Sequence, residues 1–573
     1  MQKSLFFIIE TDNILPKTYV ALTYDCLYDD YATVDVHKIL EGIPSICILN
    51  FIVKNFYEVE YALTDNTAQR RMIRDMCNHI TGEPRKRIWK FLNNHPYTIL
   101  IECYGLFMLE GLVLQNWTPA ESEDDNLDLC EDEYEPVYKA LLYCNQRWTD
   151  WQVKGMKNNN MADISLLIDM PVVEFKLYKD FDTQLYKAIK FFEFCENDSL
   201  YRAYLPTFYE DHKIGHWKQY VLRLFAMMKA SLNNHYVTID NNYLEDRLFF
   251  DQYIVNLEDC SNLWDANNAL NYFRNHFLIK LSEQAYMLLN PNLLVDKFYQ
   301  GLKFDFFNTL KNHSLTNAKG KVVDNFADFS SDIGSRFSEP ILLYSLMNDV
   351  FADKVDAIYT GEQLKAKGVQ AEPDLYMRIG ETLFLFEYKD VTLADNVKYS
   401  ADADNMKEAI CKRLCKYEDG KAKKGAGQLH YTMENLFLHG SFDTIDPDVK
   451  QVKRVFPIIM TTDRSFSALG VNLVVIEEYD KIRKAHPIGT PVFISVPIIM
   501  DMDIIIKCAN RLNIGAFKLD EMLMSYIVKN NYNLSPFNTY VIDNYLCKRP
   551  FDAENTKFLF GDFIDGLNED SNN

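Results

Sequence analysis

Residues 372–390 read EPDLYMRIGETLFLFEYKD, two runs of β-prone side chains on either side of Gly380-Glu381. A glycine followed by any residue suits the two-residue type II′ turn of a β-hairpin. Counting outward from that turn, one residue at a time on each strand, places Asp374 opposite Glu387. The pattern therefore predicts a tight hairpin with two acidic side chains opposed at its open end.

Directly opposed residues of a hairpin point to the same side of the sheet, with Cβ atoms roughly 5 Å apart. Two carboxylates at that distance repel each other, and a bound cation removes the conflict. Carboxylate oxygens are hard ligands that suit Mg²⁺. Strand alternation puts Lys389 on the same face, where its ammonium group could orient a water and stabilise charge on a phosphate. We expect a metal centre of Asp374 and Glu387 with Lys389 beside it.

The other face of the hairpin is mostly apolar, so we expect it to pack against a hydrophobic core. Its residues are Leu375, Met377, Ile379, Phe384, Phe386 and Tyr388.

Pro373-Asp374, twelve further residues and then Glu387-Tyr388-Lys389 form a motif that resembles the PD-(D/E)XK nuclease superfamily. The resemblance covers about residues 330–465. It implies that Asp374 and Glu387 bind metal, that the Tyr388 carbonyl is a further ligand and that Lys389 assists an attacking water. The implied cofactor is Mg²⁺, with Mn²⁺ as the alternative. A structural alternative is an exposed edge hairpin whose Glu387 and Lys389 are merely solvated.

The superfamily usually has a helix with an acidic residue before its hairpin. Apolar residues recur at every fourth position from 333 to 341, around Glu339. We expect Glu339 to complete the metal shell or hold a water there. The alternative is a first-turn acid that favours the helix dipole. Because Pro340 cannot donate a backbone hydrogen bond, this helix is expected to begin near Ser338 as its N-cap.

After the hairpin, residues 407–424 hold seven basic and three acidic side chains. The part GKAKKGAG is expected to lead into a helix that begins near Ala426, and helix N-termini suit phosphate. The alternative is a solvated basic loop. Gln428 is expected to contact phosphate or support the metal site; some branches of the superfamily place a Gln and a Tyr on this helix, usually four apart rather than three. The residues assigned to substrate are Lys412, Lys421, Lys423, Lys424 and Tyr431.

We expect a multidomain α+β protein with a mostly helical N-terminal half, an α/β restriction-endonuclease-like domain around a central mixed sheet and a short helical C-terminal region. Strands are expected in the runs at 453–462, 472–479 and 491–498. The expected divisions are a mixed α/β segment 1–60, a mainly helical partner or sensor domain 61–320 with an acidic loop 121–135, the nuclease-like domain 325–505, and a helical region with a polar tail 506–573.

The composition and net charge of the chain restrict the functions that it can have. Hydrophobic residues make up 48% of the chain, and the net charge is −22. A protein this acidic is not attracted to nucleic acid by its overall field, so binding by charge alone is disfavoured. The cysteines show no CxxC pair and no apolar run is long enough to span a membrane, so we expect a cytoplasmic protein without membrane contact.

The leading hypothesis is a metal-dependent nuclease that acts on DNA, with RNA less favoured. By analogy with similar architectures it is an effector of a prokaryotic defence or restriction system. Its N-terminal half would bind a protein partner or a second copy of the chain. The alternative is a non-catalytic assembly subunit, in which the nuclease-like fold is a scaffold that binds a protein partner.

Overall fold

A computed structural model of the chain describes most of residues 20–572. None of the helices in this part of the chain is both long enough and apolar enough to cross a lipid bilayer. The residues within that span that lie outside the description are 63–65, 102, 121–126, 157–159, 177–179, 232–234, 241–242, 262, 264–265, 370, 419–421, 530–533 and 547–551.

Helices dominate the described residues from 20 to 312. Their aromatic side chains pack in the core, as when Phe192 stacks on Trp217 with ring centroids 5.3 Å apart. Five short strands accompany them: β1 (Val20–Ala21) pairs with β2 (Thr98–Ile99), while β3 (Tyr236–Thr238), β4 (Leu278–Lys280) and β5 (Ala285–Leu288) form a small antiparallel sheet. The helices are α1 (Val36–Ile39), α2 (Ser45–Ala62), α3 (Asn66–His79), α4 (Gly82–Asn94), α5 (Cys103–Gln115), α6 (Tyr134–Gly155), α7 (Met161–Asp169), α8 (Phe181–Asn197), α9 (Ser199–Asp211), α10 (Trp217–Ser231), α11 (Leu244–Asp251), α12 (Ala266–Phe273), α13 (Pro291–Asp296) and α14 (Gln300–Asn312).

Beyond residue 325 strands and helices alternate around a larger sheet. The helices are α15 (Phe326–Ile333), a π-helical segment (Gly334–Ser345), α16 (Leu346–Phe351), α17 (Gly361–Ala366), α18 (Asp395–Lys398), α19 (Ala403–Leu414), α20 (Ala426–His439), α21 (Val471–Ala485), α22 (Met502–Asn513), α23 (Leu519–Lys529), α24 (Phe537–Val541) and α25 (Ala553–Asn572). The strands are β6 (Ala357–Thr360), β7 (Leu375–Ile379), β8 (Thr382–Lys389), β9 (Arg454–Thr461), β10 (Phe493–Ile494) and β11 (Ile498–Asp501).

This sheet is mixed. Strands β6, β7 and β8 are antiparallel neighbours, β9 lies parallel to β8, and β10 and β11 both pair in parallel with the far side of β9. The prediction of an α+β protein with a mixed sheet is confirmed at this level.

The hairpin has the predicted register, because Ile379 pairs with Thr382 and Leu375 with Phe386. Gly380 has a φ of +55°. A type II′ turn requires that conformation at its first central residue, and glycine adopts it without steric cost. The turn at Gly380-Glu381 therefore aligns the two strands as the sequence indicates.

Both faces of the hairpin are buried. Leu375, Met377 and Phe384 join the larger hydrophobic core, as expected for the apolar face. On the other face Tyr376 and Leu385 belong to a second core that lies under α19, α20 and α21. The metal face predicted at the open end is therefore confined to the last residues of the strands, beyond the second core.

Two predicted strands were wrong in part or in full. The run NLVVIEEY at 472–479 lies within helix α21. Its buried residues Val471, Val475 and Tyr479 recur four apart, which is helical spacing that the β-branched composition obscured. The run PVFISVPI at 491–498 gives two short strands, β10 and β11, separated at 495–497. Pro497 lies at this break, as a residue that cannot donate a ladder hydrogen bond.

The predicted start of the acidic helix near Ser338 was also wrong. Ser338 is not an N-cap, because α15, the π-helical segment and α16 run without interruption from Phe326 to Phe351. Pro340 lies inside this continuous helix. The π-helical segment accommodates the missing backbone donor, since its wider turn changes the carbonyl that each N–H faces.

Candidate active site

Asp374 lies one residue before β7, at the open end of the hairpin. Its carboxylate accepts a 2.6 Å hydrogen bond from the backbone N–H of Tyr388 on the opposite strand. Its carbonyl accepts a second bond, 2.8 Å long, from the N–H of Gly361. The Asp374 side chain is thus held against β8 at the position that the predicted register gives it.

Glu387 and Lys389 project from the end of β8. The Glu387 carboxylate is 5% exposed, and its Oε1 lies 2.5 Å from Nζ of Lys389. It also accepts a hydrogen bond from the backbone N–H of Gly425, the N-cap of α20. The predicted trio of Asp374, Glu387 and Lys389 is therefore brought together, and the N-cap of α20 donates a hydrogen bond to one of its acids.

Gly425 can lie this close because it has no side chain. Its φ is +56°, and a Cβ atom there would stand 2.1 Å from the carbonyl oxygen of Leu414 at the end of α19. The start of α20 therefore lies against the end of α19 through a backbone approach that only glycine permits.

Charge is unbalanced at this end of the hairpin. Burial and the neighbouring Glu387 carboxylate raise the pKa of Asp374 to about 7. Burial likewise raises the pKa of Glu387, although Lys389 and Gly425 act against it. Burial acts to lower the pKa of Lys389, but the Glu387 and Asp374 carboxylates outweigh it and hold that pKa above its ordinary value. Lys389 is therefore an ammonium cation facing two acids that resist ionisation.

Glu339 reaches the same region from the π-helical segment. Its carboxylate accepts a hydrogen bond from the Tyr344 hydroxyl. Burial raises its pKa, and the charges of Asp374 and Glu362 raise it further, while Lys389 acts in the opposite direction. Glu339 thus lies within the electrostatic field of the trio, and Glu362, an exposed residue of α17, adds a fourth acid nearby.

The predicted helix at Ala426 is confirmed as α20. Gln428 on its first turn donates a 3.2 Å hydrogen bond to the carbonyl of Glu372, two residues before Asp374. Its amide therefore supports the chain that leads into the hairpin.

Three of the four lysines assigned to substrate lie among the described residues. Lys412 on α19 and Lys424 are exposed. Nζ of Lys423 lies over two aromatic rings, 4.7 Å from the centroid of Tyr417 and 4.2 Å from that of Tyr431. Lys421 lies outside the described residues. Lys423 and Lys424 immediately precede Gly425, so positive charge adjoins the site at this point.

Sequence reasoning missed Asp390, the residue after Lys389. Its buried carboxylate accepts hydrogen bonds of 2.6 Å from the hydroxyls of Ser338 and Thr462, and Nζ of Lys303 lies 3.5 Å away. Burial acts to raise the pKa of Asp390, but Lys303 and the two hydroxyls hold it below the ordinary value. A carboxylate directly after a buried strand was the available signal, but its partners are distant in sequence.

The donor set is suited to a hard divalent cation. Asp374 accepts its hydrogen bond from Tyr388 through Oδ2, Glu387 accepts bonds from Lys389 and Gly425, and a cation would offset the charge that raises their pKa values. The Tyr388 N–H points toward Asp374, and a strand residue directs its carbonyl to the same edge as its N–H. Among the described residues, no three His, Cys, Asp or Glu side chains converge on one metal position. The available ligands are therefore two carboxylates with backbone and solvent oxygens, which Mg²⁺ accepts.

Comparison with known proteins finds no matching family model, no matching curated protein and no matching solved structure.

Proposed function

We propose that the chain is a metal-dependent nuclease that hydrolyses phosphodiester bonds of nucleic acid, with DNA as the favoured substrate. One observation carries the proposal: Asp374 and Glu387 are opposed at the open end of a hairpin, with the Lys389 ammonium 2.5 Å from Glu387. A hairpin gains no stability from opposing two acids, so the arrangement has a chemical rather than a structural explanation.

Membership of the PD-(D/E)XK superfamily is part of this proposal. It is supported by the order of elements along the chain: a helix that carries Glu339, the hairpin β7–β8, the helix α20 that carries Gln428 and Tyr431, and the strand β9 parallel to β8. The acids and the lysine lie together at the end of this arrangement where β8 finishes.

Asp374, Glu387 and the Tyr388 carbonyl would hold the cation, Mg²⁺ or Mn²⁺. When bound, the cation would supply positive charge to a scissile phosphate and to the attacking water. Lys389 would donate hydrogen bonds to a phosphate oxygen and stabilise the negative charge that develops there, because its raised pKa keeps it protonated. The carboxylates would orient the water, and the Gly425 N–H would keep Glu387 in place.

The substrate backbone would lie along the N-terminal end of α20. Lys423 and Lys424 precede this helix, and positive charge at a helix N-terminus favours phosphate. A local contact of this kind is needed because the whole protein carries a net charge of −22 and repels nucleic acid at long range.

The test is cleavage of DNA and RNA panels by purified protein with Mg²⁺, Mn²⁺ or a chelator. We expect Asp374→Ala and Lys389→Ala to lower cleavage at least about a hundredfold, since the first removes a ligand of the cation and the second removes the ammonium that faces the phosphate. The matched control is Glu381→Ala, which removes an exposed acid paired with Lys453 at the turn end of the same hairpin. Cleavage that survives either active-site substitution would refute the proposal, as would equal loss in the control.

A further inference from the structure

The helix that carries Glu339 changes its winding at the site. Residues 334–345 form a π-helix, in which each carbonyl faces the N–H five residues ahead. Residues five apart consequently lie above one another, whereas in an α-helix they point about 140° apart. Pro340 lies within the segment and removes one backbone donor, which favours this local rearrangement.

Two side-chain hydrogen bonds use this five-residue spacing. The Tyr344 hydroxyl donates to the carboxylate of Glu339, and Oγ of Ser345 donates a 3.1 Å bond to the carbonyl of Pro340. An α-helix would point Tyr344 away from Glu339. The π-helix therefore brings together a phenol and a carboxylate that a regular α-helix would hold apart.

Glu339 is also held from its other side. Oγ of the preceding residue, Ser338, donates a 2.6 Å hydrogen bond to Asp390, which follows Lys389 on β8. The backbone beside Glu339 is thus fastened to the strand that carries the catalytic lysine, while Tyr344 fixes its side chain.

A partner for the Glu339 carboxylate matters because its surroundings disfavour its charge. Burial and the acids Asp374 and Glu362 all act against ionised Glu339. The hydrogen bond from Tyr344 acts in the opposite direction and favours the ionised carboxylate. Burial and Glu339 together keep the pKa of Tyr344 well above its ordinary value, so the hydroxyl remains a donor at any physiological pH.

We infer that Tyr344 is a positioning residue, which holds the Glu339 carboxylate beside the Asp374–Glu387 pair and thereby strengthens cation binding there. The inference rests on the proposed function. Tyr344 acts through Glu339 and contacts neither substrate nor cation. Outer groups that orient a metal site commonly change metal affinity by about 10- to 100-fold.

The experiment compares Tyr344→Phe with wild type in two readouts. The first is the Mg²⁺ concentration for half-maximal cleavage, and the second is direct Mn²⁺ binding by calorimetry without substrate. We expect Tyr344→Phe to weaken both about tenfold, and saturating metal to restore most of the cleavage rate. A structural defect alone would not be relieved by added metal.

The matched control is Tyr286→Phe. The Tyr286 hydroxyl also donates to a carboxylate, that of Asp251 at 2.7 Å, but in the small sheet formed by β3, β4 and β5. We expect this variant to keep wild-type metal dependence. Unchanged Mg²⁺ dependence and Mn²⁺ affinity in Tyr344→Phe would overturn the inference. If wild type cleaves and Asp374→Ala does not, the proposed function survives that result. If wild type neither binds Mn²⁺ nor cleaves, both the inference and the proposed function fail.

Discussion

At the scale of single residues, the site is defined by two facing carboxylates that the fold holds close together. Asp374 and Glu387 each accept a hydrogen bond from a backbone N–H group, that of Tyr388 for the first and that of Gly425 for the second. Each hydrogen bond favours the ionised acid, yet burial and mutual repulsion still raise both pKa values. In the absence of a cation this end of the hairpin costs folding free energy, and the cost depends on pH.

The pH dependence has a definite sign. The folded-state pKa of Asp374 is about 7, whereas an unfolded Asp titrates near 3.9. Between these values the folded protein keeps a proton that the unfolded chain has lost, so stability falls as pH rises from about 4 to about 7. Asparagine at this position cannot ionise. In chelator, we expect Asp374→Asn to gain stability relative to wild type through that window and to hold the gain above it.

Thermal unfolding across that pH range, with chelator and with Mg²⁺, measures this effect. Mg²⁺ should stabilise wild type more than Asp374→Asn, because a ligand that binds only the folded state raises its stability. The control is Asp353→Asn, which changes an exposed acid and should show no such trend. A difference between Asp374→Asn and wild type that stays constant with pH would contradict the assignment of the raised pKa to Asp374.

At the scale of elements, a π-helical segment and the close approach of α20 to α19 shape the site. The π-helical segment directs Glu339 and Tyr344 to the same side. Gly425, just before α20, lies so near the carbonyl of Leu414 that no Cβ fits there, and its N–H donates to Glu387. An α-helix in place of the π-helical segment would leave Glu339 without its phenol, and a residue with a Cβ at position 425 would leave Glu387 without its backbone donor.

The close approach of Gly425 to the Leu414 carbonyl leads to a prediction for Gly425→Ala. The new Cβ would meet the Leu414 oxygen at 2.1 Å, so backbone must move and the bond to Glu387 is lost. The control is Gly320→Ala, where φ is +72° and nothing lies within 4 Å of the new Cβ. We expect the control to cost about 1 kcal/mol from its positive φ, and Gly425→Ala to cost roughly 2 kcal/mol more and reduce cleavage.

Urea unfolding of both variants gives the two free energies of unfolding. Equal losses of unfolding free energy in the two variants would mean that the backbone at Gly425 relaxes without strain. The close approach to Leu414 would then not fix the position of α20.

At the scale of the whole molecule, the hairpin is part of a core shared with distant segments. The larger hydrophobic cluster runs from Ala21 through Phe384 to Phe560. Lys303 of α14 contacts the end of the hairpin. Its Nζ lies 3.5 Å from Oδ1 of Asp390, and 2% of its side chain is exposed. The predicted boundary near residue 320 therefore separates sequence patterns, whereas the packing and the charges continue across it.

This continuity predicts a large effect for Lys303→Met. The substitution leaves Asp390 buried without its cation, and breaking a buried ion pair from one side typically costs about 3 kcal/mol or more. We expect Asp390→Asn in the same protein to recover part of the loss, because the neutral amide no longer needs a cation. A double-mutant cycle by urea unfolding measures the coupling, and strictly additive losses would show that the two groups do not interact.

The sequence was informative where structure depends on neighbours along the chain. The turn at Gly380-Glu381 set the hairpin register, and alternation then placed Asp374, Glu387 and Lys389 together. It failed where contacts between distant segments decide the outcome. Pro340 indicated a helix start, yet flanking helices and packing keep the segment helical around it. The partners of Asp390 are Ser338, Thr462 and Lys303, which are far apart in sequence, and no local pattern predicts that they meet.

The hairpin turn has one more consequence, for insertion and deletion scanning. Gly380 is exposed and no atom would obstruct a Cβ there, so by surface criteria the loop tip should accept an extra residue. Side chains alternate with a period of two, so one inserted residue that slid β8 along β7 would turn Glu387 and Lys389 toward the apolar core. The length of this exposed loop therefore determines which face of the sheet Glu387 and Lys389 occupy at the opposite end of β8.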